Sequence, residues 1–485
     1  MKPADKPKSL ADLPTEMIEQ IVLDVCPIYR LDALEMPGVR PEGRDRDGKR
    51  SSDDFWLKER VNDLKRLLRT SKALYEAANP ILYRCPFILS GPTLKAYVAP
   101  PEKNVARKLT QLLRTLEEAP MLADLAVAFV CEEPAWVSLD DHLRRSAARA
   151  GMPLPAADAK ARSWVSLAKL VLASLPRAQS LTMVRGFCPL DNPAAGAADL
   201  ESLTSLVIST AWPISPSSRI GVAAPNLQTL CLRGRRVLVG PDFEDFMGGP
   251  PLKHLTRLVV DAERITPTKM LSILPHVARL ERFAYKKDEM HRRPDEIHQP
   301  ASSLLRAIDR ELLGALARRC AGSLRTLCLD VGRPRAVPAA PSFGPFCKLE
   351  DVWLKSDIVV DSGRGPPESP ELGIWSLPPS LRRLHVKTSV LCRGGKWGKG
   401  QRMTPNVRQS TVPETGGPGS VGPSSRGDYT LILNEWLTTK VAKGAYPVLE
   451  DLALSNYTCP QKIADEVSGL GIKLLGNADP ASILW

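Results

Sequence analysis

Side chains able to do chemistry are spread thinly along this chain. His291 and His298 sit among acidic residues in the run KKDEMHRRPDEIHQP at 286–300. No cysteine stands near them and they make no i,i+4 pair, so the run reads as a solvated loop rather than a metal site. His142 beside Asp140 and Asp141 has the polarity of a helix start. Gly394, Gly395 and Gly398 lack the preceding strand and following helix with which a glycine loop cradles phosphate. Arg393-Gly-Gly is a single copy of a unit too short to hold RNA alone. No Gly-x-Ser-x-Gly elbow occurs. The 10 cysteines form no C-x-x-C pair, and Cys231 and Cys328 fall in apolar runs where a thiol acts as a small hydrophobe. The expectation is a protein that is not an enzyme, with no metal and no cofactor.

Recognition is the chemistry left, and its candidates come from a repeated spacing. Leu-x-x-Leu-x-Leu, or a close apolar variant, occurs as Leu122-Leu125-Val127, Ala178-Leu181-Met183, Leu203-Leu206-Ile208, Leu227-Leu230-Leu232 and Leu255-Leu258-Val260. It continues as Leu280-Phe283-Tyr285, Leu324-Leu327-Leu329, Leu349-Val352-Leu354, Leu381-Leu384-Val386 and Leu449-Leu452-Leu454. Starts at 178, 203, 227, 255 and 280 are steps of 25, 24, 28 and 25 residues, and 324 to 349 is again 25. Leucine-rich repeats have such a period, roughly 20–29 residues. In a strand, motif positions four and six share one face and positions three, five and seven the other. One strand with its return segment cannot bury the Leu face alone, so neighbours must stack. The spacing therefore predicts an α/β fold: an irregular leucine-rich-repeat solenoid, a horseshoe with a parallel sheet on its concave side. No Asn or Cys follows the strands regularly enough to ladder their turns.

The residues turned away from the Leu face form the candidate client-binding set: Arg257, Arg282, Trp353, Lys355, Arg383, His385 and Lys387. Arg233 and Lys286 add to it, and Asp261, Asp330 and Asp351 oppose it. Every solenoid needs a solvated polar face. A client held on this one would be acidic, with Trp353 as the anchor.

Other elements must position these strands. Helical spacing predicts helices over Val105–Glu118, Ser163–Ser174, Pro267–Leu274, Leu304–Arg319 and Leu431–Lys443. Ala147–Ala161 is Ala/Pro-rich and reads as a loop, and Arg393–Asp428 has the Gly, Pro and Ser content of a disordered insert. The expected map is a flexible tail at 1–8, a helical domain at 9–90 with a polar insert at 36–54, the solenoid at 91–460 with its insert at 393–428, and a C-terminal cap at 461–485.

The helical domain rests on two stretches. In SLADLPTEMIEQIVLD, Pro14 suits a first helical position and Glu16 meets the positive end of the helix dipole. Met17, Ile18, Ile21, Val22 and Val25 form an apolar stripe behind it. In RVNDLKRLLRTSKALYEAANPILYR, Val61, Leu64, Leu67 and Leu68 share a face, Leu74, Tyr75 and Ala78 follow, and Pro80 is expected to stop the helix near Asn79. Together these stretches resemble the F-box of fungal-type F-box proteins that carry leucine-rich repeats behind the box. The resemblance implies docking on the Skp adaptor of a cullin-RING ubiquitin ligase, with Leu13, Pro14, Ile18, Ile21, Leu64, Leu67 and Leu68 meeting the adaptor. It implies a substrate-receptor subunit whose solenoid holds a client for ubiquitin transfer. The alternative is a repeat scaffold without a ligase role, its first helices capping the solenoid.

Bulk properties bound both readings. The formal charge of +12 permits an acidic partner. Aromatic residues at 5% are thin for a base-stacking platform, which points away from nucleic acid. The first residues contain no apolar core of a signal peptide, and the most apolar run, Leu122–Cys131, is about half the length needed to cross a bilayer. With cysteines scattered as if reduced, the expectation is a soluble intracellular protein of cytoplasm or nucleus, with no membrane partner.

Overall fold

The structure is a computed structural model of the chain. It describes residues 13–25, 63, 65–70, 72–88, 101–132, 140–151, 167–183, 200–209, 220–234, 252–262, 267–277, 279–286, 304–330, 342–355, 373–387, 436–455 and 461–475. The inserts expected at 36–54 and 393–428, and His291 and His298, lie outside the described residues.

The motif copies become neighbouring strands of one parallel sheet. Its strands are β1 (Phe87–Ile88), β2 (Ala128–Cys131), β3 (Ser180–Met183), β4 (Ser205–Ser209), β5 (Thr229–Gly234) and β6 (Arg257–Ala262). They continue as β7 (Arg282–Lys286), β8 (Thr326–Asp330), β9 (Asp351–Lys355), β10 (Arg383–Lys387), β11 (Asp451–Ser455) and β12 (Lys473–Leu475). The sheet has 12 strands in sequence order, and its two ends do not close into a barrel. Register matches motif position to motif position: Leu206 faces Leu230, Leu230 faces Leu258, Leu258 faces Phe283 and Phe283 faces Leu327. Strands in such order each meet only their sequence neighbours, as stacked repeats do.

Positions one, four and six are buried in one continuous apolar cluster from Val105 to Ile472. The return segments close it from the same side. Among the described helices, α1 (Thr15–Val25) and α2 (Lys72–Arg84) precede the sheet, Tyr83 of α2 packing against the cluster, and α3 (Pro101–Glu118), α4 (Pro120–Leu125), α5 (Asp141–Arg149), α6 (Leu167–Ala173), α7 (Ile220–Ala223), α8 (Pro267–Ile273), α9 (Leu304–Cys320) and α10 (Gln461–Gly469) contribute to it. Short 3-10 turns at Leu274–His276 and Gly373–Ser376, and a π turn at Leu437–Val441, serve the same purpose where no full helix forms. In the last of these, Trp436 Nε1 donates to the Tyr446 hydroxyl (3.3 Å), which in turn donates to the Ile374 carbonyl (3.4 Å). Burial raises the Tyr446 phenol above its ordinary range.

Several expectations shift. Leu122 and Leu125 belong to α4, not to a strand, and the second strand instead turns Phe129 and Cys131 toward Leu181 and Met183. Leu-x-x-Leu is equally an i,i+3 helical pair, and Pro120 starts the helix that claims it. Ala147 is fully buried inside α5, so the loop expected from Ala147 does not begin there. Asp140 caps that helix, accepting from the Leu143 amide at 2.8 Å. Pro80 lies inside α2 and does not stop it. The break comes earlier, at 68–70, where the Thr70 hydroxyl donates to the Leu67 carbonyl (2.7 Å) and competes with the backbone. Residues 461–475 supply a further helix and strand that extend the sheet.

A hydroxyl ladder replaces the asparagine ladder that the sequence lacks. The residue just before motif position one donates to the carbonyl of position one in the preceding unit: Ser202 to Ala178 (2.9 Å), Ser323 to Leu280 (2.7 Å) and Ser380 to Leu349 (2.9 Å). The Asn226 side-chain amide plays a similar part toward the Glu201 carbonyl (2.8 Å). These bonds satisfy backbone acceptors at turns that the sheet ladder has not yet reached.

Candidate docking and client surfaces

The helical pair α1–α2 forms around a small cluster of its own. Ile18, Val22, Leu74 and Ile81 are its buried members, with Leu13, Leu67, Leu68 and Leu82 partly buried against it. The Pro14 carbonyl accepts from the Met17 and Ile18 amides (3.0 and 3.1 Å), placing Pro14 just ahead of the helix and exposed. The structure thus brings Leu13, Ile18, Leu67 and Leu68 together. Ile21 is half-buried, and Leu64 lies outside the described residues. At 3% exposure, Ile18 faces the pair's own core, so on this chain it holds the first helix in place. Two residues absent from the expected docking set are open instead: Met17 at 52% and Tyr75 at 51% exposure. Both stand among the apolar positions of their stretches, next to the buried Ile18 and Leu74, and spacing alone does not separate them from those neighbours. Continuity with the sheet is direct, since α2 runs into β1 and the Arg84 carbonyl accepts from the Val127 amide (3.0 Å).

On the sheet face away from the leucines, positions three and five form rows across the strands. Position five forms the midline: Val207, Cys231, Val259, Ala284, Cys328 and Trp353 make a second apolar cluster. All are between 0 and 6% exposed. Trp353 at 4% exposure is a member of that cluster, not an anchor offered to a partner. His385, next along the row, is fully buried with its ring edge-on to Trp353 at 5.7 Å between centroids. In-register neighbours stand about 4.8 Å away on either side, so a side chain leaving the Leu face enters another row of side chains before it meets water.

Position three forms the second row, where charges meet. Arg383 makes two bonds to Asp351, Nε to Oδ1 at 2.5 Å and an outer nitrogen to Oδ2 at 2.7 Å. That hydrogen bond is the main reason the guanidinium is held more basic than usual. The Thr326 hydroxyl lies 3.4 Å from Asp351 Oδ2 and completes the set. Arg383 is therefore committed within the sheet. Arg257 is half-buried and Arg282 exposed, while Lys355 and Lys387 are known by register position alone, their side chains lying outside the described ones. At position two a further alternation appears, with Arg325 bonded to Glu350 (2.7 Å) and Arg382 to Glu450 (2.5 Å). Sequence reading missed this ladder, although Glu281, Arg325, Glu350, Arg382 and Glu450 stand at the same motif position with alternating sign.

One constellation outside these rows has catalytic residue types. Glu117 on α3 accepts from Ser146 Oγ (2.6 Å) and Arg149 (2.7 Å), with His142 Nε2 at 3.4 Å. The serine hydroxyl bonds to the carboxylate and the His142 carbonyl (3.0 Å) in place of the imidazole, and Ser146 is 4% exposed. A nucleophile needs its base beside it and access to substrate; this set instead clamps α5 to α3. Burial pushes the Cys320 thiol up, away from thiolate reactivity. Among the described residues no group of three His, Cys, Asp or Glu is placed to hold a metal ion, and no helix is long and apolar enough to cross a membrane. No protein-family model matches the chain, and no curated protein matches its sequence.

Proposed function

We propose that this protein is a non-catalytic substrate-receptor subunit of a Skp–cullin–F-box type ubiquitin ligase, built as an F-box-like helical pair followed by an irregular leucine-rich-repeat solenoid. One observation carries the reading. The α1–α2 pair buries a core of four described side chains and leaves Pro14, Met17 and Tyr75 open, half-burying Leu13, Ile21, Leu67 and Leu68. Apolar surface left on so small a unit suits a partner. The repeated sheet supplies what a receptor needs beside it, a long polar-edged face on which a client can lie. Ligase chemistry would belong to other subunits, and the compartment would be the cytoplasm or nucleus.

Tagged full-length protein should co-purify the adaptor and cullin. Replacing Leu13 and Pro14 by Ala should remove the adaptor while leaving the thermal melt nearly unchanged, because truncating buried interface anchors costs about 2 kcal/mol or more of binding. A large fall in melting temperature would assign these residues to the fold and sink the reading.

A second reading has its own support. The direct run of α2 into β1, and the burial of Ile18 inside the pair, suit an end cap on a scaffold that has no ligase role. In that case adaptor and cullin are absent from the purified material at every salt concentration.

A further inference from the structure

From the connections that lead into β6 to β9, we infer that Lys253, Arg279, Arg319 and Lys348 form a cationic row that takes an acidic segment of a partner protein. The inference rests on the reading of the sheet as a client platform and moves the contact from its face to its edge. Backbone bonds hold these connections in step. Amides at position two donate to the carbonyl of position two in the unit before: Glu281 to Thr256, Arg325 to Glu281 and Glu350 to Arg325, each at 2.8 Å. Adjacent units therefore stand about 4.8 Å apart, the spacing of paired strands. The residue just before motif position one is His254, Arg279, Ser323 and Lys348 in these four units, and Lys253 precedes His254. Arg319 lies in the last turn of α9, just ahead of Ser323.

All four cations are exposed, and none of their side chains makes a hydrogen bond or an ion pair. At the same place in other units the side chain is spent on the fold. Ser202, Ser323 and Ser380 bond to a carbonyl of the unit before, and Arg177 pairs with Asp124 at 3.8 Å. The carboxylates described near the row are Glu281 and Glu350, both at position two. Glu350 is taken by Arg325 at 2.7 Å, and Glu281 is half-buried beside Arg325 in that register. Position two is thus close to neutral within itself, and the positive excess lies in the row before it. The pull of a helix C-terminus on cations accounts for Arg319 alone, since the other three stand outside helices. Arg318 is not part of the row: its guanidinium lies back over α9, 3.6 Å from where a side chain at Gly314 would begin. Three steps between strands make the row roughly 15 Å long, which an extended chain spans with about five residues. No exposed aromatic side chain is described in these units, so nothing there stacks a base, and the row suits carboxylates on a peptide.

The test uses the full-length protein and a fluorescein-labelled peptide of ten glutamates, with a Gly/Ser peptide of equal length as the neutral probe. Binding is read by anisotropy at low and high salt. Wild type should bind the acidic probe, not the neutral one, with affinity falling as salt screens the attraction. Joint Arg279→Gln and Lys348→Gln should weaken binding about fivefold at low salt, as removal of two exposed ion pairs does. Arg279→Lys should bind as wild type, because an exposed row acts through its charge. The control removes the same charge elsewhere: Lys443→Gln, just ahead of β11, with Lys462→Gln on α10 should keep full affinity. The melting temperature supplies the second readout, and it should hold in the Arg279 and Lys348 variant because neither side chain is bonded within the fold. Equal losses in the two double variants, unaltered peptide binding, a lowered melt, or displacement of the peptide by a lower concentration of a duplex oligonucleotide would each overturn the inference. Adaptor pull-down of the same variant keeps the two ideas separate. An absent adaptor with intact acidic-peptide binding in wild type defeats the ligase reading alone, and an intact adaptor with unaltered peptide binding in the variant defeats this inference alone.

Discussion

The two faces of the sheet carry the same alternation and reach different ends. On the leucine face, positions four and six enter one continuous cluster that runs the length of the array, and every strand repeats the solution of the last. On the opposite face the midline is also buried, yet it forms a separate and more varied row that includes Cys231, Ala284 and Trp353. Charged side chains are restricted to the rows on either side. The comparison teaches that alternation assigns a face and does not assign exposure. Exposure depends on what neighbouring strands bring alongside.

Leu327→Asp breaks the comparison most severely. Leu327 is fully buried between Phe283 and Val352, and an aspartate there would place a carboxylate where no partner can reach it. The expected loss exceeds about 4 kcal/mol, the range reserved for buried charge and comparable disruptions. Urea unfolding should show a collapsed midpoint or no cooperative transition, and a midpoint near wild type would mean that the leucine face is not the main core.

One residue earlier and on the other face, Thr326→Asp is a sharper probe. Reading Thr326 as an outward position predicts tolerance, but it is 8% exposed and its hydroxyl lies 3.4 Å from Asp351. A second carboxylate there should cost about 1–3 kcal/mol through an ill-satisfied buried polar group. Adding Asp351→Asn should recover part of that cost, and the double-mutant cycle isolates the coupling. Simple additivity would place the two side chains out of contact.

The smallest effect belongs to the turns that hold both faces in register. Ser323→Ala deletes the bond to the Leu280 carbonyl and should lower stability by about 1 kcal/mol with the m-value unchanged. No change at all would mean that water serves that carbonyl equally well.

The sequence was a good guide wherever spacing alone decides the outcome. From Ala178 onward, the motif copies become strands at the expected register because an apolar pair two residues apart can share a buried face in an extended chain. The hydroxyl ladder was also legible in retrospect as Ser-Leu-x-x-Leu at 202, 323 and 380. Reading failed where one spacing serves two structures. Leu122 and Leu125 satisfy a strand motif and a helical i,i+3 pair alike, and the proline at 120 tips the choice. Pro80 shows the converse: tertiary packing of Ile81 holds a helix through a residue that alone would end it. At the candidate sites, register placed Arg257 and Arg282 correctly on one face, but it could not tell an exposed Arg282 from a buried Trp353 or a committed Arg383.

By itself, then, the sequence determined the period, the direction each strand side chain faces and the α/β alternation, because these follow from local geometry and from the apolar pattern. Tertiary structure alone decided which of the outward residues remain available. That choice depends on contacts across strands that lie 25 or more residues apart in the chain, such as Thr326 with Asp351 and Arg383 with Asp351, 32 residues apart. Local sequence carries no record of such pairs, since a charge is neutralised or left open only when a neighbouring strand arrives with its own residue at the same height.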